Sequence, residues 1–120
     1  MVQSFRDLLV WQKAILLCVA IYRLSKEFPR EELYGLSSQI RRSAVSVPSN
    51  IAEGHGRLTT GEYKQFLGIA RGSTFELQTH IEIARSLGFA NVQLLHEAEI
   101  LSLEVGKMIN GILSAITVKD

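Results

Sequence analysis

Near the carboxyl end of the chain, apolar residues recur in steps that alternate between four and three residues without a break. The row consists of Leu94, Ala98, Leu101, Val105, Met108 and Ile112. This spacing keeps one face of an α-helix apolar, and it is the heptad pattern of helices that pack side by side. A helix of this kind, running from about Asn91 to Ile116, needs other helices to cover its apolar face. The sequence therefore predicts an all-α protein.

Three further helices precede this one, and residues that favour helix ends bound each of them. They are predicted from about Leu8 to Glu27, from between Glu31 and Leu36 to Gly54–Gly56, and from a capping box at Thr59 and Glu62 to Gly88. The links between the helices are short, and no segment shows the alternation of a strand. Four helices joined this way predict a single domain over residues 1–120, folded as an antiparallel up-down-up-down four-helix bundle.

The second helix carries a proline inside its apolar period. Its inward row is predicted to be Leu33, Leu36, Ile40, Ala44, Val47 and Ile51. Pro48 has no amide hydrogen and leaves the carbonyl of Ala44 without its usual donor, so we expect a kink near Pro48. The alternative is that Pro48 is the first residue of a separate helix. Asn50 or Ser46 could bond to the freed carbonyl groups.

The first helix is apolar around most of its circumference. We expect its core seam to be Leu8, Trp11, Ile15, Cys18 and Tyr22. Two further apolar rows remain, one of Val10, Leu17 and Leu24 and one of Ala14 and Ile21. Because no helix of a four-helix bundle is central, this surplus predicts burial between subunits. The predicted subunit interface is Val10, Leu17 and Leu24, with Phe75 from the third helix.

The third helix contains a run of small residues. They are Gly68, Ala70, Gly72 and Ser73. Each glycine costs a helix roughly 1 kcal/mol relative to alanine. Close packing of the backbone against a neighbouring helix is therefore the expected reason for these glycines.

The composition excludes a strong global electrostatic field. Lysine and arginine number 13 and aspartate and glutamate number 12, for a formal net charge of +1, so nucleic-acid binding would depend on local patches. The apolar stretch from Val10 to Leu24 is interrupted by Lys13 and Arg23 and falls short of the ~18 residues of a membrane span. The single Cys18 can form no intrachain disulfide. These features predict a cytoplasmic protein without a membrane segment.

No set of residues with catalytic or metal-binding spacing stands out. No glutamate is followed three residues later by a histidine, as it would be in a carboxylate-bridged di-metal bundle. The two aspartates, Asp7 and Asp120, lie at opposite ends of the chain, so a Ser-His-Asp triad is not expected. Glu76 and His80 lie one turn apart, where a side-chain pair is commoner than a metal site. The sequence predicts a non-enzymatic protein with no catalytic residue, no metal and no cofactor.

Basic residues on the third helix form a stripe at multiples of seven residues. Lys64, Arg71 and Arg85 share this line, Arg57 prolongs it into the preceding loop, and Phe75 lies beside Arg71. One interpretation is that the stripe merely solvates a bundle face while Phe75 packs in a subunit contact. The other is a surface that follows phosphates, with an aromatic neighbour. The sequence leaves both interpretations open.

Two adjacent arginines on the second helix also allow two interpretations. Arg41 and Arg42 could form salt bridges with glutamates of the fourth helix. They could instead be the second half of a basic site. The candidate nucleic-acid-binding residues are Arg41, Arg42, Arg57, Lys64, Arg71 and Arg85.

Three segments together carry a resemblance to a known family. They read FRDLLVWQKA near the start, QIRRSAVSVPSNIAEGHGR in the middle and EYKQFLGIARGSTFELQTHIEIARSLG after it. The chain resembles the four-helix bundle family of 23S ribosomal RNA intervening-sequence proteins over nearly its whole length. The residues that carry the resemblance are Arg41, Ser43, Pro48, Asn50, Glu53, Gly54, Arg57, Phe66, Gly72, Ser73, Glu76 and Leu77.

The resemblance adds expectations about assembly and partners. A related branch, the accessory variability determinants of diversity-generating retroelements, forms pentameric barrels that engage a reverse transcriptase and nucleic acid through basic surfaces. The resemblance thus implies a homo-oligomer, with five copies, that acts as a nucleic-acid or ribonucleoprotein accessory. Its expected partners are further copies of itself, RNA or single-stranded DNA, and a protein. The alternative function is an oligomeric scaffold or adaptor that binds only protein.

Overall fold

The computed structural model describes the backbone of residues 4–119 and the side chains of residues 4–117. Four α-helices and two 3-10 turns make up this part of the chain, which contains no strand. The helices are α1 (Leu9–Ser25), α2 (Leu36–His55), α3 (Thr60–Leu87) and α4 (Val92–Lys119), and the 3-10 turns are Phe5–Asp7 and Arg30–Glu32. The predicted all-α, four-helix bundle is confirmed.

Each helix packs against two neighbours, so the four helices form a closed ring in cross-section. Helix α1 contacts α2 and α4, and α3 contacts the same two helices from the other side. Lys13 on α1 pairs with Glu104 on α4 at 2.9 Å, whereas Glu27 accepts a 2.9 Å bond from the amide of Asn91 just before α4. Residue numbers that rise along one helix and fall along its neighbour indicate antiparallel helices. This order of neighbours is the one that an up-down-up-down bundle requires.

Helix α1 turns a different row to the core than the sequence predicted. The buried row consists of Val10, Ala14, Leu17, Ile21 and Leu24. Val10 is 3% exposed and Leu17 and Leu24 are 0% exposed within the single chain, so the prediction that they form a subunit interface is wrong. Periodicity could not identify the inward row, because almost every row of this helix is apolar.

The apolar surplus of α1 nevertheless remains in the structure, on the opposite side of the helix. It consists of Leu9, Ile15, Leu16, Val19 and Tyr22, all exposed. We call these five residues the outer α1 face. The sequence predicts Ile15 and Tyr22 in the core seam, and this is wrong because both are exposed, whereas Leu8, Trp11 and Cys18 of the same seam are partly buried against the core.

Helix α2 is one continuous helix that passes through Pro48, so the alternative of a separate helix beginning there is wrong. The predicted inward row is buried except for Leu33, which is 48% exposed because it lies before the helix begins. The side-chain Nδ2 of Asn50 donates to the backbone carbonyl of Ser46 at 2.8 Å and to the Ser46 hydroxyl at 3.0 Å. Asn50 therefore bonds one turn back, near the proline, and the kink itself stays a prediction.

The ends of α3 and the start of α4 match the sequence signals. Thr59 accepts a hydrogen bond from the amide of Glu62 at 3.1 Å, and its hydroxyl donates to the Glu62 carboxylate at 3.0 Å. Gly88 ends α3 with a φ of 69°, in the left-handed region that glycine adopts at little cost. The Asn91 side chain accepts a 2.7 Å bond from the amide of Gln93 and so caps α4.

The close helix contact involves a glycine of α2 rather than those of α3. A β-carbon built on Gly54 would lie 2.8 Å from the β-carbon of Phe66 and 3.1 Å from a ring carbon of Tyr63. Gly68 and Gly72 have no atom within 4 Å of such a position, because they lie on the exposed side of α3. The prediction that they permit close backbone packing is therefore wrong, and Gly54 has that role.

Helix α4 is also the one helix among the described residues that is long and apolar enough to cross a membrane. The segment Val92–Thr117 has a mean hydropathy of 1.3 in its most apolar window. Core helices of soluble bundles meet the same criterion of length and composition, and α4 contributes the fully buried Ala98, Val105 and Ile109 to this core. Since 17% of that window is buried within the single chain, the bundle core accounts for only part of the apolar surface of α4.

Candidate nucleic-acid interface

The six candidate basic residues lie in three separate places on the bundle. Arg41 and Arg42 lie on α2, Arg57 lies in the connection after it, and the remaining three lie on α3. Lys64 is half-buried in the second turn of α3, whereas Arg71 and Arg85 contact α4. The structure therefore does not assemble the six into one surface.

The two arginines of the α3 stripe are engaged by α4. The Nε of Arg71 donates to Oδ1 of Asn110 at 2.7 Å, and the guanidinium carbon lies 4.9 Å from the centre of the Phe75 ring. Arg85 bonds to Glu82 on its own helix and to Glu99 of α4, the latter at 3.0 Å. Partial burial lowers the pKa of Arg85, but these two glutamates raise it by more, so the net shift is upward. Arg85 is thus a neutralised charge in an interhelix contact.

Arg57 does not prolong this stripe, and that prediction is wrong. Its guanidinium group lies 3.5 Å from Glu53 and 3.9 Å from Glu62, and its central carbon stacks 4.5 Å from the centre of the Phe66 ring. Phe66 is the ring that approaches Gly54 of α2. Arg57 therefore lies on the α2 side of α3, between two carboxylates, while Arg71 and Arg85 lie on the α4 side.

Arg41 and Arg42 have a different environment. The Nε of Arg41 donates to the hydroxyl of Ser25 on α1 at 2.7 Å, and its guanidinium carbon lies 5.3 Å from the centre of the Tyr22 ring. Helix α2 does not contact α4, so the proposed salt bridges to glutamates of the fourth helix do not form. Within residues 4–117, neither Arg41 nor the exposed Arg42 has an ion pair.

These two arginines line an open groove along α1, α2 and their connection. It has two adjoining parts, of about 690 and 400 Å³, that share Leu33 and Arg41. Its basic lining residues are Lys26, Arg30, Arg41 and Arg42, and its two tyrosines are Tyr22 and Tyr34. No acidic residue of the described chain lines either part. We call this feature the α1–α2 groove.

The α1–α2 connection contains three glutamates, and two of them face backbone amides instead of the groove. Glu27 accepts the amide hydrogen of Asn91, as described above. Glu32 accepts the amide hydrogen of Leu36 at 3.0 Å, in the first turn of α2. Negative charge at a helix amino terminus is favourable because the unpaired amides there carry partial positive charge. These two carboxylates thus stabilise helix ends, and the third, that of Glu31, lines neither part of the groove.

Sequence reasoning missed several residues of this groove. Tyr34 lies in the turn before α2 and is 93% exposed. It belongs to no apolar row, so periodicity gave no reason to select it. Lys26 and Arg30 flank the end of the first helix, where basic residues have an ordinary structural explanation. One indication of a basic site is nevertheless present in the sequence, because Lys26 and Arg30 lie close together in the short segment where the helical pattern is interrupted.

A smaller groove lies between α3 and α4. It has a volume of about 210 Å³ and is lined by Arg71, Phe75, Lys107 and Asn110, among others. Lys107 was not selected from the sequence and is exposed. Phe75 is 48% exposed in the single chain, so its role in a subunit interface stays a prediction.

Two serines of α2 form polar contacts with α3. The hydroxyls of Ser46 and Ser73 lie 2.8 Å apart, and the hydroxyl of Ser43 lies 3.4 Å from Nδ1 of His80. Burial lowers the pKa of His80, an effect that the nearby charge of Glu76 partly opposes. No group of three or more potential metal ligands occurs in the described part of the chain. These polar residues therefore join two helices.

Comparison with known proteins places this architecture in a family. The model of the 23S rRNA-intervening sequence protein family matches residues 6–111. A crystal structure of a protein of unknown function from the S23 ribosomal protein family of Bacteroides thetaiotaomicron superposes with a TM-score of 0.81 at 24% sequence identity, covering 88% of this chain and 98% of that one. A search of curated protein sequences gave no significant match. The chain belongs to the 23S rRNA-intervening sequence protein family.

Proposed function

We propose that this protein is a non-enzymatic, homo-oligomeric accessory of nucleic acid or of a ribonucleoprotein, and that it acts in the cytoplasm. The observation that carries the proposal is the α1–α2 groove, where four basic side chains occur without an acidic one. Basic side chains bind nucleic acid mainly by displacing counterions from the phosphates. Such a local patch can act even though the whole chain has a formal net charge of only +1.

The outer α1 face supports assembly into oligomers. Burial of an exposed Val, Leu or Ile side chain is worth about 1.5–3 kcal/mol. Four such side chains of this face, Leu9, Ile15, Leu16 and Val19, line neither part of the groove and can be buried between subunits while Tyr22 stays open to the groove. Copies of one chain that share a face can close into a ring by cyclic symmetry. A ring of five, as the family resemblance implies, would bring five grooves onto one ligand and raise the affinity without new contacts.

Binding can be measured by fluorescence anisotropy with labelled RNA in a salt series. If all four groove cations contact phosphates of a single strand, the slope of log K against log salt should be about −3. A protein that fails to bind either a structured RNA or a single strand at about 50 mM salt would contradict the proposal. Light scattering at micromolar concentration tests the assembly, because a stable 13.4 kDa species would exclude it.

A protein-only scaffold is the second candidate function, and the outer α1 face is the observation that favours it. Substitution of Leu16→Glu and Val19→Glu places charges on this face without touching the groove. If the function is a scaffold, these substitutions should abolish partner binding, and salt should have little effect on it. If the protein binds nucleic acid, the altered chain should retain a groove that binds in a salt-dependent manner, with lower avidity.

A further inference from the structure

We propose that the α1–α2 groove binds unpaired nucleotides, with bases stacked on its tyrosines and phosphates held by its arginines. This inference rests on the proposed function and specifies its ligand. A base that is not paired exposes both of its faces, and an aromatic side chain can stack on one of them. The bases of a duplex are stacked on each other and leave no face for a tyrosine.

The aromatic residues of the groove are placed to meet a ligand. Tyr34 is 93% exposed in the turn that precedes α2, so no part of the bundle accounts for the position of its ring. Tyr22 is 41% exposed on α1 and carries the guanidinium group of Arg41 over its ring at 5.3 Å. Leu33 and Val45 line the same part of the groove and form its apolar floor. An apolar and aromatic surface bordered by cations suits a base with its attached phosphate.

The cations of the groove are positioned but not neutralised. Ser25 accepts a hydrogen bond from Nε of Arg41, and no residue among 4–117 bonds to its two terminal nitrogens, so these remain available for a phosphate. Arg42 and Arg30 are exposed, and the structure gives neither of them an ion pair within residues 4–117. Basic side chains thus border the apolar floor along α2 and in the connection before it. This arrangement matches the alternation of base and phosphate along a single strand.

The volume of the groove agrees with this ligand. Its larger part measures about 690 Å³, within the range of roughly 300–1,000 Å³ of sites that hold small organic molecules. The smaller part adjoins it through Leu33 and Arg41, and its other charged lining residues, Lys26 and Arg30, are both basic. We assign the larger part to a base and its sugar, and the smaller part to the phosphates that follow.

The test uses the full-length protein and two labelled probes, an oligouridylate of about 20 nucleotides and an RNA duplex of the same length. Tyr34→Ala removes the exposed ring, and Tyr34→Phe is the matched control that keeps it. We expect the oligouridylate to bind at least tenfold more tightly than the duplex. Tyr34→Ala should weaken oligouridylate binding about tenfold and leave duplex binding within about twofold, while Tyr34→Phe should behave like the unaltered protein.

The outcomes separate this inference from the function on which it rests. Equal affinity for the two probes, with no effect of Tyr34→Ala, would overturn the inference and leave nucleic-acid binding in place. Absence of binding to both probes would overturn the proposed function and the inference together. Circular dichroism of Tyr34→Ala should match the unaltered protein, because the side chain is almost fully exposed; a loss of helix content would contradict the assignment of Tyr34 as a ligand-binding residue.

Discussion

Arginines occur both in the α1–α2 groove and along helix α3, but their surroundings differ between the two regions. In the groove, Arg30 and Arg42 are exposed and have no ion pair within residues 4–117. Along α3, Arg85 bonds to two glutamates and Arg71 bonds to Asn110. The residues of the groove are therefore available to a ligand, whereas those along α3 hold the bundle together.

The difference arises from what the neighbouring helix presents. Helix α4 places Glu99 and Asn110 opposite the arginines of α3. Helix α1 places the Ser25 hydroxyl and the Tyr22 ring, neither of them charged, against Arg41. A stripe that contains no acid in its own sequence can thus be neutralised by another helix, so the pattern along one helix does not reveal which cations are free to bind phosphate. Substitutions in the groove should change binding, and substitutions along α3 should change stability.

The largest expected effect is a loss of RNA affinity that occurs for substitutions in the groove and not for substitutions along α3. The double substitution Arg30→Ala with Arg42→Ala should weaken binding of single-stranded RNA about 100-fold at low salt, since each removes a charge-assisted phosphate contact of about 1.5 kcal/mol. Arg71→Ala with Arg85→Ala removes the same amount of charge and should change the affinity less than about threefold. Anisotropy titrations of the two variants make the comparison. Equal losses would show that the α3 stripe also contacts nucleic acid.

The next effect concerns the packing of α2 on α3. Gly54→Ala should destabilise the fold by about 1–3 kcal/mol, because its β-carbon would lie 2.8 Å from that of Phe66. Gly68→Ala is the matched control on the exposed side of α3 and should stabilise the fold by about 0.5–1 kcal/mol. Urea unfolding measures both values. If Gly54→Ala leaves the free energy of unfolding unchanged, α2 and α3 can move apart at no cost, and the close contact at Gly54 does not limit their packing.

A smaller effect on stability distinguishes Arg85, which is bonded to two glutamates, from the exposed Arg42. Arg85→Ala should destabilise the fold by about 0.5–1 kcal/mol, a value kept low because its side chain is 33% exposed and the ion pairs are partly screened. Arg42→Ala should change the stability by less than about 0.5 kcal/mol. Salt should reduce the effect of Arg85→Ala and leave that of Arg42→Ala unaltered. If Arg42→Ala proves the more destabilising, the assignment of the two regions is reversed.

The smallest expected effect is the pH dependence contributed by the α2–α3 contact. Because burial lowers the folded pKa of His80, the unfolded chain takes up a proton first as the pH falls. The contribution of neutral His80 to stability is therefore complete above about pH 6.5 and decreases below it, toward the folded pKa. Urea unfolding at pH 7.5 and 5.5 should show a smaller decrease for His80→Gln than for the unaltered chain. An equal decrease would assign the pH dependence to other groups.

The fold was largely predictable because it depends on repeated, local signals. The apolar row of α4, the cap at Thr59 and the glycine at Gly88 each specify an element by chemistry that acts within one or two turns. The inward face of α1 was not predictable by this means, since a helix that is apolar on all sides offers no contrast for periodicity to detect. Only the positions of the other helices select Val10, Leu17 and Leu24 as core.

The candidate site was predictable only in part, since it depends on contacts between segments. Arg41 and Arg42 could be selected by their adjacency on one helix. Tyr34 could not, because an exposed aromatic in a turn follows no period. The neutralisation of Arg85 by Glu99 could not be foreseen either, since it requires the register of α3 against α4. Charge and hydropathy along the chain thus indicate which residues could bind, and helix packing decides which of them are available.

The contact between the first and last helices has a consequence for synthesis of the chain. The bond from the amide of Asn91 to Glu27 joins residues 64 positions apart. At about 5–20 residues per second, synthesis of α1 is complete roughly 3 to 13 s before Asn91 is added. During that interval α1 lacks the cover that α4 gives to its core row, so we expect nascent chains stalled before Val92 to recruit chaperones and to be cleaved within α1 by added protease. Chains that include α4 should resist that cleavage, because α4 contacts both α1 and α3 and so closes the ring of four helices.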